Sequence, residues 1–189
     1  MDSFEAVVAA ILQRQGYWTQ ISVKVELTPA EKRAINRPSS PRWELDVVAY
    51  SGKTNKLLVI ECKSYLDSSG VHCATFEGDT HKDADRFKLF FDLSLRQTVL
   101  GRLVAQYEAL GFCAARPDLK FGLAAGKVAG DETRLQKSLE KKEFYFLGPT
   151  RLREELAKLG APEFGYENSV AATVAKILLR TGKTSTTKD

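Results

Sequence analysis

The first fifty residues carry apolar side chains at two different periods. Helical spacing comes first, at Phe4, Val7, Val8, Ile11 and Leu12. The stretch from Asp2 to Glu5 predicts the start of this helix, and Gly16 predicts its end. From Tyr17 to Leu27 the residues alternate, which predicts a strand. Thr28 to Glu31 form a capping box with proline at the first helical position, so a short helix is expected after the strand.

Two apolar runs joined by a turn follow, over residues 42–50 and 56–63. Ser51 to Asn55 supply turn chemistry, so the two runs predict a β-hairpin. Pairing of Ser51 with Lys56 around a four-residue loop, a common hairpin size, would set the register of the strands. The runs are apolar on both faces, which indicates a buried central hairpin.

Three charged residues stand near the ends of these otherwise apolar strands. The predicted register places Asp46 opposite Glu61, with Cβ atoms about 4.5–5.5 Å apart. Side chains alternate along a strand, so Lys63 shares the face of Glu61. Two carboxylates and an ammonium converging in an apolar setting are costly unless a cation or a substrate phosphate joins them. The competing interpretation is an ordinary Glu-Lys pair on a surface hairpin.

This set of residues suits metal-dependent cleavage of phosphodiester bonds. Mg²⁺ prefers oxygen ligands, takes one or two carboxylates and keeps several waters. We therefore predict that Asp46 and Glu61 bind Mg²⁺ or Mn²⁺, with the backbone carbonyl of Cys62 as a further ligand because Cys62 lies between Glu61 and Lys63. Lys63 would hold or help deprotonate the attacking water, or contact the scissile phosphate as a point charge.

The rest of the chain predicts further helices and strands. The predicted elements are a helix over 81–110 with a break near Ser94 or Gly101, a strand over 121–128, a helix over 131–142, a strand over 143–147, and helices over 151–159 and 168–179. Residues 64–80 show no clear period, and 181–189 predict a disordered tail. Residues 1–180 are expected to form one domain, with its core in about 1–147.

Composition narrows the class of protein. The chain has 189 residues, enough to bury a full core, and no apolar run long enough to span a membrane. Its acidic start does not fit a signal peptide, so a cytoplasmic location is expected. The three cysteines are odd in number and lack a Cys-x-x-Cys pair, so they imply neither a disulfide framework nor a zinc site. A net charge of +4 permits a nucleic-acid partner.

The spacing Asp46-x14-Glu61-x-Lys63 resembles the motif of the PD-(D/E)XK nuclease superfamily, which includes restriction endonucleases, archaeal Holliday-junction resolvases and Mrr-like enzymes. Leu45 stands where the family has proline, a position that varies widely. The element order over about residues 1–147 is also similar to the αβββαβ core of that superfamily. The resemblance implies an α/β, restriction endonuclease-like fold in which helices flank a mixed central sheet, with extra C-terminal helices.

The resemblance also implies a role for Glu5. The first helix of the family often carries a glutamate that faces the metal site, and Glu5 matches that position. The alternative is that Glu5 is only an N-terminal capping residue, three positions after Asp2. One residue can do both.

Basic residues provide candidate contacts to a nucleic-acid backbone. One group precedes the hairpin and a second lies in the later half of the chain; the candidates are Lys32, Arg33, Arg37, Arg42, Lys127 and Arg134. The alternative is that both groups are solvated charged faces.

Three functions from different classes follow. The first is a divalent-metal-dependent endonuclease acting on DNA. The second is a nucleic-acid-binding or assembly module that keeps the fold without turnover, and the third is an RNA-processing nuclease with the same chemistry. Cutting both strands of a duplex usually requires two active sites, so a symmetric homodimer is also expected. Its contact would be the apolar stripe Val170, Val174, Ile177 and Leu178, for which intramolecular packing is the alternative.

Overall fold

The computed structural model describes residues 2–39, 42–77, 84–161 and 169–180. Its main sheet contains β1 (Trp18–Val25), β2 (Trp43–Ser51), β3 (Lys56–Lys63), β5 (Asp118–Ala125) and β7 (Tyr145–Leu147). These strands lie in the order β1-β2-β3-β5-β7, with β1, β2 and β3 antiparallel and β5 and β7 parallel to β3. A separate small sheet pairs β4 (Val71–His72) with β6 (Val128–Ala129) in parallel. The predicted mixed α/β sheet is therefore confirmed.

Helices cover both faces of the main sheet. The α-helices are α1 (Ser3–Arg14), α2 (Pro29–Ala34), α3 (Lys88–Phe91), α4 (Leu93–Ala109), α5 (Glu132–Lys141), α6 (Pro149–Gly160) and α7 (Val170–Arg180). One apolar layer packs α1, α6 and α7 against one face of the sheet. The other layer packs α3, α4 and α5 against the opposite face. This arrangement buries the hairpin of β2 and β3 between two layers, as its apolar pattern predicts.

The two predicted N-terminal helix starts are present. The Asp2 carboxylate accepts a hydrogen bond from the N–H of Phe4 at 2.8 Å and caps α1. Thr28 and Glu31 form the reciprocal capping box of α2, and Glu31 also binds Arg102 on α4. The capping box and the contact with Arg102 therefore both stabilise α2.

The predicted helix over 81–110 is wrong in its first part. Residues 81–83 lie outside the described residues, a 3₁₀ turn covers Ala84–Arg86, and the α-helical segment begins only at Lys88. The break falls at Asp92, whose carboxylate accepts a hydrogen bond from the first turn of α4. A break near Ser94 is thus confirmed within two residues. The alternative break at Gly101 is wrong, because α4 continues through it.

The small sheet of β4 and β6 was not predicted. It lies partly in residues 64–80, which show no clear period and of which 78–80 lie outside the described residues. The predicted strand over 121–128 divides into β5 and β6, with Gly126 and Lys127 between them. Two-residue strands are too short to produce an alternating pattern, so only the contact between the two segments defines them.

The C-terminal helices are present, but the predicted stripe on α7 does not pack inside the protein. Ala172 and Ala175 are the buried residues of α7, whereas Val170 is 83% exposed and Leu178 is 72% exposed. Intramolecular packing is therefore wrong for the stripe. Residue 168 and the predicted tail over 181–189 lie outside the described residues. No helix within the described ranges is both long and apolar enough to cross a membrane.

Candidate functional site

The hairpin of β2 and β3 has the predicted register. Ser51 pairs with Lys56, and the pairing continues without a slip to the residue that follows Asp46. One further step in the same register would set Asp46 opposite Glu61. The regular ladder ends there, and the N–H of Cys62 donates a hydrogen bond to Oδ2 of Asp46 at 2.7 Å.

The backbone of Cys62 faces Asp46. In a strand the N–H and C=O of one residue point to the same side, and those of its neighbours point to the other. The carbonyl of Lys63 accepts a hydrogen bond from Gly126 at 2.9 Å, on the side of β5. The Cys62 carbonyl therefore points toward Asp46, as its N–H does. Burial raises the pKa of the Cys62 thiol, and nearby carboxylates raise it further, so the carbonyl rather than a thiolate is the available ligand group.

Glu61 and Lys63 form an ion pair on one face of β3. Nζ of Lys63 lies 2.7 Å from Oε1 of Glu61, and each side chain is 20% exposed. Nζ also lies 5.8 Å from the centre of the Phe87 ring, which is part of the apolar layer on this face. The ammonium is thus held close to the carboxylate in a largely desolvated position.

Burial dominates the electrostatics of the three residues. It raises the pKa of Asp46 against the opposing effects of the Cys62 N–H and the Lys63 charge. It also raises the pKa of Glu61, although the Lys63 ammonium opposes it. For Lys63, burial alone would lower the pKa, but the charge of Glu61 and their hydrogen bond raise it on balance. The lysine stays protonated beside two carboxylates that are costly to ionise without further positive charge.

Glu5 joins this group from the first turn of α1. Burial raises the pKa of Glu5 most, and the negative charge of Asp46 raises it further, so the two carboxylates lie close enough to interact. The carboxylate of Glu5 accepts a hydrogen bond from the hydroxyl of Ser22 on β1 at 3.4 Å. The capping hydrogen bond at the start of α1 is accepted instead by the Asp2 carboxylate. Glu5 therefore faces the cluster, while Asp2 serves as the cap.

At the site, β1 and β2 each interrupt the regular alternation of side chains between the two faces of the sheet. Residues two apart on a strand should share a face, yet Ile21 packs in the layer of α1 and Val23 in the layer of α4. The same change occurs on β2, where Val47 and Leu45 belong to different layers. The change centres on Asp46 and its β1 neighbour. Asp46 can therefore meet groups from both sides of the sheet, a feature that regular alternation in the sequence does not reveal.

The first basic group lies at the site's end of the sheet. Val25, the last residue of β1, pairs with Trp43, so residues 26–42 connect the strands at this end. Trp43 is only three residues from Asp46, about 10 Å along a strand. This connection carries Lys32 and Arg33, in the last turn of α2, and then Arg37 and Arg42. The structure therefore brings this group to the same end of the sheet as the carboxylates.

Several of the basic side chains already have partners. Arg37 lies 6.0 Å from the centre of the Trp43 ring, and Arg42 forms an exposed ion pair with Glu26 at 3.0 Å. In the second group, Lys127 donates to the carbonyl of Ser68 at 2.5 Å, just beyond the end of β5. Arg134 binds both oxygens of Glu77. Arg134 is thus engaged within the protein, and Lys127 braces the loop that follows Lys63.

The donor set at the site fits a hard divalent cation that keeps several waters. Oδ2 of Asp46 and Oε1 of Glu61 have hydrogen-bond partners, whereas no donor from the described residues binds the other oxygen of either carboxylate. The Cys62 carbonyl points to the same place. Across the described ranges, no group of three or more His, Cys, Asp or Glu side chains is arranged to hold a metal. Backbone, water and substrate oxygens would therefore complete the coordination.

Fold and site together define a mixed α/β sheet with a partly buried cluster of acidic and basic side chains at the end of its central hairpin. The chain matches no protein-family model and no curated protein.

Proposed function

We propose that the protein is a divalent-metal-dependent endonuclease that hydrolyses phosphodiester bonds in DNA, with a core of the restriction endonuclease-like type. One observation carries the proposal. Asp46, Glu61 and Lys63 meet at the end of a buried hairpin, and the backbone of Cys62 turns toward the same point. A surface Glu-Lys pair would not account for the partial burial of all three groups.

Asp46, Glu61 and the carbonyl of Cys62 would hold Mg²⁺ or Mn²⁺. The bound ion would supply Lewis acidity, which activates water for attack and neutralises charge on the phosphate in the transition state. Burial makes it costly to ionise Asp46 and Glu61. A bound cation would offset this cost, so the site favours occupation by a divalent metal.

Lys63 would act as a cation at the scissile phosphate. Its pKa is raised on balance, because the charge of Glu61 outweighs the effect of burial, so the side chain is an ammonium at neutral pH. A protonated lysine can orient the attacking water or stabilise charge on the phosphate, but it cannot take a proton. Of the predicted roles, the point charge therefore has the best physical support.

The substrate would approach from the end of the sheet that carries Lys32, Arg33, Arg37 and Arg42. This end also carries Lys127, and a positive margin around an acidic cluster attracts a phosphate backbone. Arg134 is the weakest candidate, because an existing ion pair with Glu77 must break first.

The exposed stripe on α7 supports a homodimer, which would supply a second active site for a second strand. We expect the protein to act in the cytoplasm.

The test is cleavage of supercoiled, linear, single-stranded and branched DNA, and of RNA, with Mg²⁺, Mn²⁺ or EDTA. Asp46→Ala and Glu61→Ala should each abolish cleavage, because they remove metal ligands. Lys63→Ala should lower turnover by about 10²-fold or more, the scale of one preorganised electrostatic donor, while metal binding persists. Glu5→Gln should have a milder effect than any of these. Circular dichroism checks the folding of each variant.

The outcomes separate the candidate functions. Folded wild-type protein that cuts no nucleic acid with either metal would leave the binding or assembly module as the better assignment. Cleavage of RNA alone would favour the RNA-processing nuclease. If Lys63→Ala cuts at the wild-type rate, the role given to the lysine is wrong.

A further inference from the structure

Ser22 occupies an unusual position in β1, directly across from Asp46. The pairing of β1 with β2 is regular on both sides of it, but the pair formed by Ser22 and Asp46 is missing from the ladder. The backbone of Ser22 is left-handed, with φ of 52°. Residues other than glycine rarely adopt this conformation in a strand, and such residues concentrate where function requires a particular geometry.

This backbone conformation accounts for the path of β1. Ile21 packs in the layer of α1, whereas Val23 packs in the layer of α4, so the strand reverses its facing across Ser22. The hydroxyl of Ser22 reaches the carboxylate of Glu5 on α1 at 3.4 Å. A length of 3.4 Å is long for such a bond, and hydrogen bonds in active sites often tighten only when the site is filled.

Glu5 needs such a partner because another carboxylate lies next to it. The Ser22 hydroxyl reaches the Glu5 carboxylate from the strand position across from Asp46, so this hydrogen bond can hold the carboxylate at the site.

We propose that Ser22 is a positioning residue of the candidate metal site, and that its hydroxyl holds the Glu5 carboxylate beside Asp46. This inference rests on the proposed function, because it assumes that the cluster binds a divalent cation. Ser22 itself touches neither the cation nor the substrate in this assignment. It acts through Glu5.

Three substitutions separate the hydroxyl from the backbone conformation. Ser22→Gly removes the hydroxyl, and glycine adopts φ of 52° without strain. Ser22→Asn restores a hydrogen-bond donor, and asparagine tolerates the left-handed region better than most residues. Glu143→Gly is the matched control, because Glu143 also has positive φ, at 60°, and is exposed in the turn before β7.

The first measurement is Mn²⁺ binding to the whole chain, monitored through the electron paramagnetic resonance signal of free Mn²⁺. Ser22→Gly should weaken binding about tenfold, the lower range for loss of an outer-shell partner. Ser22→Asn should recover most of this affinity, and Glu143→Gly should bind as the wild type does. Ser22→Gly should also lower kcat for cleavage with little change in KM.

A double-mutant cycle with Glu5→Gln gives the second measurement. If Ser22 acts through Glu5, the double variant should bind Mn²⁺ no more weakly than Glu5→Gln alone. The inference would be overturned if Ser22→Gly bound Mn²⁺ with wild-type affinity. It would also be overturned if the double variant bound Mn²⁺ about tenfold more weakly than Glu5→Gln alone. Absence of Mn²⁺ binding by the wild-type protein would overturn it together with the metal site.

The two proposals can fail separately. Active protein in which Ser22→Gly changes neither Mn²⁺ affinity nor kcat refutes only the role of Ser22. Protein that cuts nothing, yet binds Mn²⁺ in the pattern given above, refutes the nuclease and supports the positioning role.

Discussion

Asp46 and Glu61 are both partly buried, but only one has a cationic side chain bound to it. Glu61 pairs with Lys63 at 2.7 Å, whereas Asp46 accepts a hydrogen bond from the N–H of Cys62. Burial raises the folded-state pKa of Asp46 above its unfolded value. Ionised Asp46 therefore opposes folding at neutral pH, and this penalty disappears as the pH falls through the folded-state pKa.

Neutral substitutions at these two positions should change stability to different extents. In EDTA at neutral pH, Asp46→Asn should raise the free energy of unfolding by about 0.5–2 kcal/mol, because it removes a buried charge and keeps an acceptor for Cys62. Glu61→Gln should raise it by less than Asp46→Asn does, because it relieves a similar cost of burial but leaves Lys63 without its ionised partner. Urea unfolding between neutral and acid pH measures both.

The pH dependence provides the control for this prediction. The advantage of Asp46→Asn over wild type should shrink as the pH falls, because wild-type Asp46 becomes protonated. Mg²⁺ should stabilise the wild type and not Asp46→Asn. Equal stabilisation of both by Mg²⁺ would contradict the assignment of Asp46 as a ligand.

At the scale of elements, the hairpin of β2 and β3 was predictable because its information is local. Turn residues, run lengths and two-sided apolar character fix its register, and one further step in this register would set Asp46 opposite Glu61. The caps at Asp2 and Thr28 are local in the same way. The position of the charged cluster could therefore be predicted from the sequence. The register of the hairpin does not specify which metal binds there or which reaction takes place.

Other elements depend on contacts between distant segments. The pairing of β4 with β6 joins residues 71–72 to 128–129, and no local pattern marks strands that short. The change of facing at Ser22 requires a left-handed serine, and serine has no strong sequence signal for that conformation. The role proposed for Ser22 was missed for this reason.

The junction of β3 and β5 gives a test at this scale. A Cβ on Gly126 would strike the carbonyl oxygen of Ser64, the residue after Lys63. Gly126→Ala should therefore displace the end of β3, destabilise the protein by about 1–3 kcal/mol and reduce cleavage. Gly101 in α4 is the control, because nothing lies within 4 Å of its added Cβ. Gly101→Ala should stabilise the protein by about 0.5–1 kcal/mol.

Thermal unfolding and cleavage rates check this pair of variants. If both glycine variants have the same stability and activity, the close approach of Gly126 to Ser64 does not constrain the end of β3. Loss of cleavage in Gly101→Ala would show that the effect of Gly126→Ala is not specific to the end of β3.

At the scale of the whole molecule, the two faces of the sheet are covered differently. The face that carries α3, α4 and α5 is sealed by large side chains, including clustered phenylalanines. On the other face, α7 packs through the small residues Ala172 and Ala175, and a groove of about 810 Å³ lies beside it, between α7, α6 and α1. Small buried residues bring α7 close to α6 and leave its larger apolar side chains outward.

This outward stripe leads to the prediction for assembly. Val170, Val174, Ile177 and Leu178 are each about half exposed or more, which is unusual for one side of a short helix. A second copy presents the same stripe and the same groove, so a two-fold axis through α7 would cover both. Light scattering should then give twice the 21.0 kDa mass of one chain.

Leu178→Lys should convert this dimer to a monomer, because it places a charge in the apolar contact. Leu110→Lys is the control, since Leu110 is 63% exposed at the end of α4, in the part of the chain that covers the other face. The control should remain dimeric. If Leu178→Lys also loses double-strand cleavage while it still nicks one strand, two sites act together on a duplex. A wild-type monomer, with and without DNA, would contradict the dimer and leave each chain to cut one strand at a time.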